Sequence, residues 1–118
     1  MAAYDQKENM KKVVSYDKEN DILSIHKGFS EDEQFKGNLD LGDIILDVST
    51  KQRIRGIELF NASAILKEFD INEHLLARII DTDFTAIIKP QSIILGMTFK
   101  TNNAVTIPAK IAVPLLEN

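Results

Sequence analysis

Three acidic residues near the start of the chain have the spacing with which a calcium loop places its first oxygen ligands. Asp17, Glu19 and Asp21 stand at every second position of the segment YDKENDILSIH. A calcium loop of the helix–loop–helix class also needs glycine at its sixth position and a bidentate glutamate at its twelfth. Counted from Asp17, those positions hold Ile22 and Gly28. The pattern therefore favours a turn whose acids bond nearby backbone, with a weak surface ion site as the alternative, and no metal is expected.

Glu58 is the acidic residue whose surroundings predict burial. If the hairpin DIILDV-STKQ-RIRGIELF pairs Ser49 with Arg53, Glu58 shares a face with the apolar Ile44 and Leu46. A buried carboxylate needs hydrogen-bond partners, or it becomes neutral. We predict a structural carboxylate bonded to backbone amides near the following helix. The alternative is a catalytic acid or an anchor for a ligand.

The other candidate ligand-binding residues, Asp47, Asn61 and Ser63, lie close to Glu58 in the sequence. Ser63 stands in NASAI and not in the Gly-x-Ser-x-Gly of hydrolase nucleophiles, so its expected role is a helix cap. No phosphate loop or dinucleotide fingerprint occurs among the scattered glycines. We therefore predict no catalytic residue and no cofactor. A small-ligand site or an enzyme centred on Glu58, Asp47 and the Asn61–Ser63 turn is the competing hypothesis.

Composition argues against several classes of function. The 118 residues, 44 % of them hydrophobic, suffice for one domain that folds without metal or disulfide. The absence of cysteine excludes thiolate zinc sites and suits the cytoplasm, and His26 and His74 lack zinc-pair spacing. A net charge of −4 without a basic stripe argues against nucleic acid, and no apolar run approaches the roughly 20 residues of a membrane span. The acidic run SEDE, residues 30–33, is expected to be a solvated turn.

A period of two predicts antiparallel strands in the first half of the chain. Pairing Tyr16 with Leu23 keeps the apolar side chains on one face and leaves a four-residue loop, Lys18 to Asp21, ending in a left-handed Asp. A third strand is expected around Gln34 to Leu39. The two arms of the next hairpin are apolar on both faces, which is typical of central strands.

Short helices are expected between the two groups of strands. Asn61 or Ser63 can cap a helix in NASAILKEF, and Asp70 with Glu73 resembles a capping box at the start of DINEHLLARII.

The register of the preceding hairpin also puts Asp47 opposite an arginine, Arg55.

The last third of the chain predicts a three-stranded meander. A three-residue loop from Thr101 to Asn103, with Asn103 left-handed, aligns the apolar faces of its last two strands. Pro108 cannot donate to a ladder, so the strand from Ala104 to Leu115 is expected at an edge. Because open edges are templates for other chains, we predict a homodimer through this strand.

The segments YDKENDILSIH and DIILDVSTKQRIRGIELFNAS together resemble a prokaryotic family of small uncharacterised proteins, domain-of-unknown-function family twenty-two eighty-three. The resemblance implies no established activity. In some genomes similar proteins are encoded beside small toxin-like partners, which implies an antitoxin or binding role. The family commonly has glycine where this chain has Gln52, so a left-handed Gln52 is predicted at a cost of about 1 kcal/mol or more. The matching positions are Tyr16, Asp17, Glu19, Asp21, Leu23 and Ile25, then Ile44 or Ile45, Leu46 and Asp47, and finally Gly56, Ile57, Glu58, Ala62 and Ser63.

These expectations combine into one architecture and one leading function. The fold class is α+β, mainly antiparallel sheet in two meanders of about three to five strands, with one or two short helices between them. A polar leader, residues 1–11, precedes a single domain, residues 12–118. The function expected is that of a non-enzymatic cytoplasmic protein that binds itself or a small protein partner, with no nucleic-acid or membrane partner.

Overall fold

Antiparallel strands dominate the protein, as the α+β prediction requires. The computed structural model describes residues 12–115, so the expected leader lies outside the described residues. The chain divides into two compact units, and the boundary between them follows Ala62. One contains a five-stranded sheet and the other a three-stranded sheet with short helices. Between residues 12 and 115, no helix has both the length and the apolar character needed to cross a membrane.

The first unit is an antiparallel sheet in the order β1-β2-β5-β4-β3. It is not the simple meander that the sequence predicted, because β5 lies between β2 and β4 and pairs with both. The last strand of the second hairpin, β5, therefore pairs with β2, the last strand of the first hairpin. The strands are β1 Val13–Asp17, β2 Ile22–His26, β3 Phe35–Asp40, β4 Ile44–Ser49 and β5 Ile54–Phe60.

The β1–β2 hairpin confirms the predicted register and turn. Tyr16 pairs with Leu23, and Asp21 is left-handed at φ 56°. Asp17 accepts hydrogen bonds from the side-chain amide of Asn20 at 2.9 Å and from its backbone amide at 3.2 Å. These bonds, the side-chain one first, lower the pKa of Asp17 below its ordinary value. The acids of this segment thus serve the turn, as predicted.

A β-bulge in the second hairpin changes which residues of β5 face the core. The turn itself is as predicted: the Ser49 amide donates to the Arg53 carbonyl at 2.8 Å, and Gln52 is left-handed at φ 63°. Beyond it the register shifts by one residue, so that Asp47 pairs with Gly56. The predicted placement of Asp47 opposite Arg55 is therefore wrong. One extra residue in a strand reverses the faces of everything after it.

The two faces of the first sheet differ in character. The outward face carries polar side chains in adjacent strands, among them Ser24 opposite Glu58 and His26 opposite Gly56. The inward face is apolar and supplies the core of this unit: Leu23, Ile25, Ile44, Leu46, Ile54, Ile57 and Leu59.

Short helices follow β5: α1 Ala62–Ile65, a 3₁₀ turn Lys67–Phe69, and α2 Glu73–Leu76. The capping-box prediction for α2 is wrong. Asn72, not Asp70, caps α2 by accepting from the Leu75 amide at 2.9 Å. Asp70 is left-handed at φ 60° and ends the 3₁₀ turn, which is incompatible with the extended backbone of an N-cap. Asn61 is also left-handed, at φ 55°.

The second sheet is the predicted meander: β6 Ile79–Ile88, β7 Ser92–Thr101 and β8 Thr106–Pro114, with β8 at an edge. Its last loop differs from prediction. Lys100 pairs with Thr106, and Ala104 rather than Asn103 is left-handed, at φ 63°. The loop is two residues longer than predicted, and an even shift preserves the alignment of the faces. The buried side chains of these strands are Thr82, Phe84, Ile93, Leu95, Met97, Phe99, Thr101, Ala109 and Val113.

Candidate functional site

The four candidate residues from the sequence lie on several elements, three of them in the first unit and one in the second. Asp47 and Glu58 lie on the outward face of the first sheet, with Ile45 opposite Glu58. Asn61 follows β5, and its side-chain amide donates to Asp43 Oδ1 at 3.4 Å. Ser63 belongs to the second unit, where it lines a hollow of about 490 Å³.

Glu58 is half-buried and faces away from the core, so its predicted burial is wrong. The cause is the bulge at Arg55, which reverses the faces of β5 between Arg55 and Phe60. In the part of the chain that the structure describes, the Glu58 carboxylate accepts no backbone amide. The prediction that this carboxylate bonds backbone amides near the following helix is therefore wrong.

Glu33 is the buried carboxylate of this protein, and its side chain is 0 % exposed. The prediction that residues 30–33 form a solvated turn is wrong for this residue. Arg53 donates to both carboxylate oxygens, from Nε at 2.8 Å and from Nη2 at 2.7 Å. The Ser49 hydroxyl and the amide and hydroxyl of Ser30 donate as well. Glu33 thus joins the loop before β3 to the turn between β4 and β5.

This set of donors keeps Glu33 ionised although it is buried. The bonds from Arg53 act first, with those from Ser49 and Ser30, and hold the pKa of Glu33 far below its ordinary value of 4.5 against the opposing effect of burial. Glu33 in turn raises the pKa of Arg53. Both oxygens are occupied by donors, so this carboxylate is neither a proton donor nor a free ligand, and its role is structural.

The sequence contains a signal for the bond between Glu33 and Ser30, but none for the bond between Glu33 and Arg53. Ser30 and Glu33 have the Ser-x-x-Glu spacing of reciprocal side-chain and backbone bonding, seen here as the Ser30 amide donating to Glu33 at 3.1 Å. Its arginine partner lies twenty residues away in the sequence, and no local pattern joins the two.

His26 and Asp47 meet over Gly56 on the outward face of the first sheet. His26 Nε2 lies 3.7 Å from Asp47 Oδ2. A methyl group on Gly56 would lie 2.5 Å from that oxygen and 2.6 Å from His26 Cδ2. Glycine is therefore required between β2 and β4 for these two side chains to approach each other.

The neutral ring of His26 has no lone pair left to act as a base. Nδ1 accepts from the Gly28 amide at 2.8 Å, so in the neutral ring Nε2 carries the proton, on the side of Asp47. Burial lowers the pKa of His26 and outweighs the opposite influence of Asp47. Phe29 packs against the ring in an edge-on geometry at 5.0 Å. A general base needs an accessible nitrogen lone pair, and this imidazole offers none.

A concave trough of about 590 Å³ lies on the second unit, with Gly96 in its floor. Its lining is mainly apolar, and Ile87, Ile94 and Pro108 contribute to it. Asp83 and Lys110 also line it, and they lie on different strands. Within residues 12–115, no group of three or more His, Asp or Glu side chains is placed to hold a metal ion. The trough thus has the character of an apolar contact surface.

The free edge of β8 is the second feature of this unit. The Leu115 amide donates to Gln91 at 2.8 Å, and the Val105 carbonyl accepts from Thr101 at 3.0 Å. Odd-numbered residues of β8 thus direct their backbone groups toward β7. The even-numbered residues direct theirs to the other side, where no strand of residues 12–115 pairs with them.

Comparison with known proteins finds a family model that is similar to the first sheet. Residues 13–63 match the family model described as Protein of unknown function (DUF2283). The Uncharacterized protein MJ0789 of Methanocaldococcus jannaschii is 36 % identical over 69 residues, which cover 57 % of this chain and 57 % of that protein. No solved structure matches the chain. The match spans the whole of the first sheet, and it confirms the resemblance seen in the sequence between this chain and the DUF2283 family.

Proposed function

We propose that this protein works by association rather than catalysis, and that its first partner is a second copy of itself. The observation that carries the proposal is the open edge of β8, with an unpaired amide at Lys110 and another at Ala112. Such an edge adds a further strand through backbone hydrogen bonds. The half-buried Ile107 and Ile111, on the core-facing side of β8, would be covered further by that strand.

The opposite edge of the same sheet is less suited to pairing. The Lys89 amide donates to Ser92 at 2.8 Å, so the even-numbered residues of β6 direct their backbone groups to its free edge. One of these, the Phe84 amide, already donates to the Asp83 carboxylate at 3.0 Å. This side-chain bond occupies a donor that an added strand would need. The β8 edge is thus the better candidate for association.

The acid and base groups of the first sheet support a non-catalytic role. Glu33 has donors on both oxygens, and His26 has both nitrogens directed to protein groups. The competing hypothesis, a ligand site or enzyme centred on Glu58, Asp47 and the Asn61–Ser63 turn, has less support because Asp47 already contacts His26 and Asn61 already contacts Asp43. The apolar trough favours a different ligand class, one with a hydrophobic surface.

A small protein partner is the finer form of this proposal. The antitoxin-like role implied by the family resemblance would require such a partner, and a strand from it would compete with the second copy for β8. We place the association in the cytoplasm, and fractionation of the source cell tests that assignment.

Replacing Ala112 with proline is expected to weaken self-association at least tenfold. Ala112 belongs to the even-numbered set, so the change removes a donor from the free edge without breaking a bond to β7. An interfacial hydrogen bond of about 1 kcal/mol in each of two symmetric positions gives an effect of this order. Sedimentation velocity over a concentration series measures it.

Ala112→Val is the matched control, because valine keeps the amide and is favoured in strands. The valine variant is expected to associate like the parent chain. Equal association of the proline, valine and parent chains would exclude β8 as the contact.

A further inference from the structure

We infer that two copies pair their β8 strands antiparallel about a two-fold axis that passes beside Ile111. This inference rests on the proposed self-association and specifies its register. In such a pair, a residue that lies a given number of positions before Ile111 in one copy faces the residue that lies the same number of positions after Ile111 in the other. This register follows from the backbone groups that β8 directs outward and from the positions of its prolines.

The prolines of β8 are placed symmetrically about Ile111. Pro108 and Pro114 both belong to the even-numbered set that faces the free edge, and each lies three residues from Ile111. In this register, Pro108 of one copy faces Pro114 of the other. Proline has no backbone N–H to donate. Because proline faces proline in this register, neither Pro108 nor Pro114 faces a residue whose amide would otherwise be available.

Two amides of the free edge, those of Lys110 and Ala112, fall between the prolines. Lys110 of one copy faces Ala112 of the other, and each residue both donates to and accepts from its opposite. The two-fold axis repeats this pair on the other side of Ile111. The window between the prolines is thereby fully paired in both copies.

The pairing of side chains on both faces of the joined sheet favours the same register. On the face of the buried residues, Ile111 meets its own symmetry mate and Ala109 meets Val113, so that apolar groups lie opposite apolar groups. On the exposed face Lys110 meets the small side chain of Ala112. A register shifted so that Lys110 faces Lys110 would put like charges directly opposite each other, which destabilises a sheet.

Pairing in this way would make one continuous sheet from the three strands of each copy. The trough on each copy contains Pro108 and Lys110 in its wall, so the two troughs would lie on one face of the joined sheet, on either side of the axis. A hydrophobic partner could then contact both copies at once.

Single cysteines test the register directly, because the native chain has none. Odd-numbered residues form the close, non-hydrogen-bonded pairs across the new interface, with Cα atoms about 4.5 Å apart, within the range that a disulfide spans. Ile111→Cys copies are therefore expected to form a disulfide-linked dimer under mild oxidation. Lys110→Cys and Ala112→Cys, each alone, would lie about 7–8 Å from their symmetry mates and are expected to stay unlinked.

A mixture of Lys110→Cys and Ala112→Cys copies provides a second reading that leaves Ile111 intact. These two residues face each other, so the mixed disulfide is expected and is identified by its mass. Linkage of Lys110→Cys alone or of Ala112→Cys alone would assign a shifted register and overturn the inference, while self-association itself would stand. A chain that sediments as a monomer and yields none of these links would overturn both.

Discussion

Replacing Glu33 with glutamine is expected to lower the free energy of unfolding by about 2–3 kcal/mol. The variant keeps the shape of the side chain but loses the charge that Arg53 contacts at 2.7 and 2.8 Å. Its amide nitrogen also meets donors where the carboxylate accepted bonds. Because the Arg53 side chain is 48 % exposed, water can solvate it after the change, and the cost stays below that of a wholly buried pair. Urea unfolding followed by circular dichroism measures the effect.

Glu19→Gln is the control for this change, since it removes the same charge from an exposed position in the β1–β2 turn. We expect it to alter stability by less than about 0.5 kcal/mol. If the two glutamine variants were equally stable, the Glu33 cluster would not be what joins its loop to the hairpin.

The pH dependence of the same variant provides an independent check. The folded-state pKa of Glu33 lies far below its ordinary value of 4.5. Its contribution is therefore fully present above about pH 4.5 and declines as the pH falls toward the folded-state pKa. The stability difference between the parent chain and Glu33→Gln is expected to shrink below pH 4.5. A difference that remained constant from pH 7 to pH 3 would contradict the account.

Replacing Gly56 with alanine is expected to cost about 1–3 kcal/mol, the range for overpacking. The new methyl group would come within 2.5 Å of Asp47 Oδ2 and 2.6 Å of His26 Cδ2. The ring cannot easily move away, because Gly28 holds its Nδ1 and Phe29 packs against it. Thermal or urea unfolding gives the difference.

Gly37→Ala in β3 is the matched control, since a methyl group there meets no atom within 4 Å. It is expected to be neutral or slightly stabilising. In a chain that already carries Asp47→Ala, Gly56→Ala is expected to cost less than in the parent, because one of the two obstructing groups is gone. Equal costs in both backgrounds would mean that Asp47 is not the group that requires glycine.

Local turn chemistry explains what could be predicted of the first sheet. The alternation around Tyr16 and Leu23 fixed the register of the β1–β2 hairpin, and an Asp at its last loop position supplied the left-handed residue. The turn at Gln52 followed in the same way from the pairing of Ser49 with Arg53. Each of these features depends on residues within a few positions of one another.

The candidate site was not predictable because one inserted residue governs it. In an arm that is apolar on both faces, a bulge at Arg55 shows only as the three-residue step from Ile54 to Ile57, yet it turned Glu58 outward and brought Gly56 opposite Asp47. The buried carboxylate was then Glu33, whose arginine partner lies on another element. In the second sheet the error was milder: a loop longer by two residues kept the faces aligned, so the edge position of β8 was predicted correctly.

Sedimentation equilibrium of the full chain at micromolar concentrations tests the central claim most directly. We expect a species of twice the chain mass of 13.3 kDa, which dissociates on dilution, and a lower mass for Ala112→Pro at the same concentration. A mass of 13.3 kDa for the parent chain at every concentration tested would contradict association through β8.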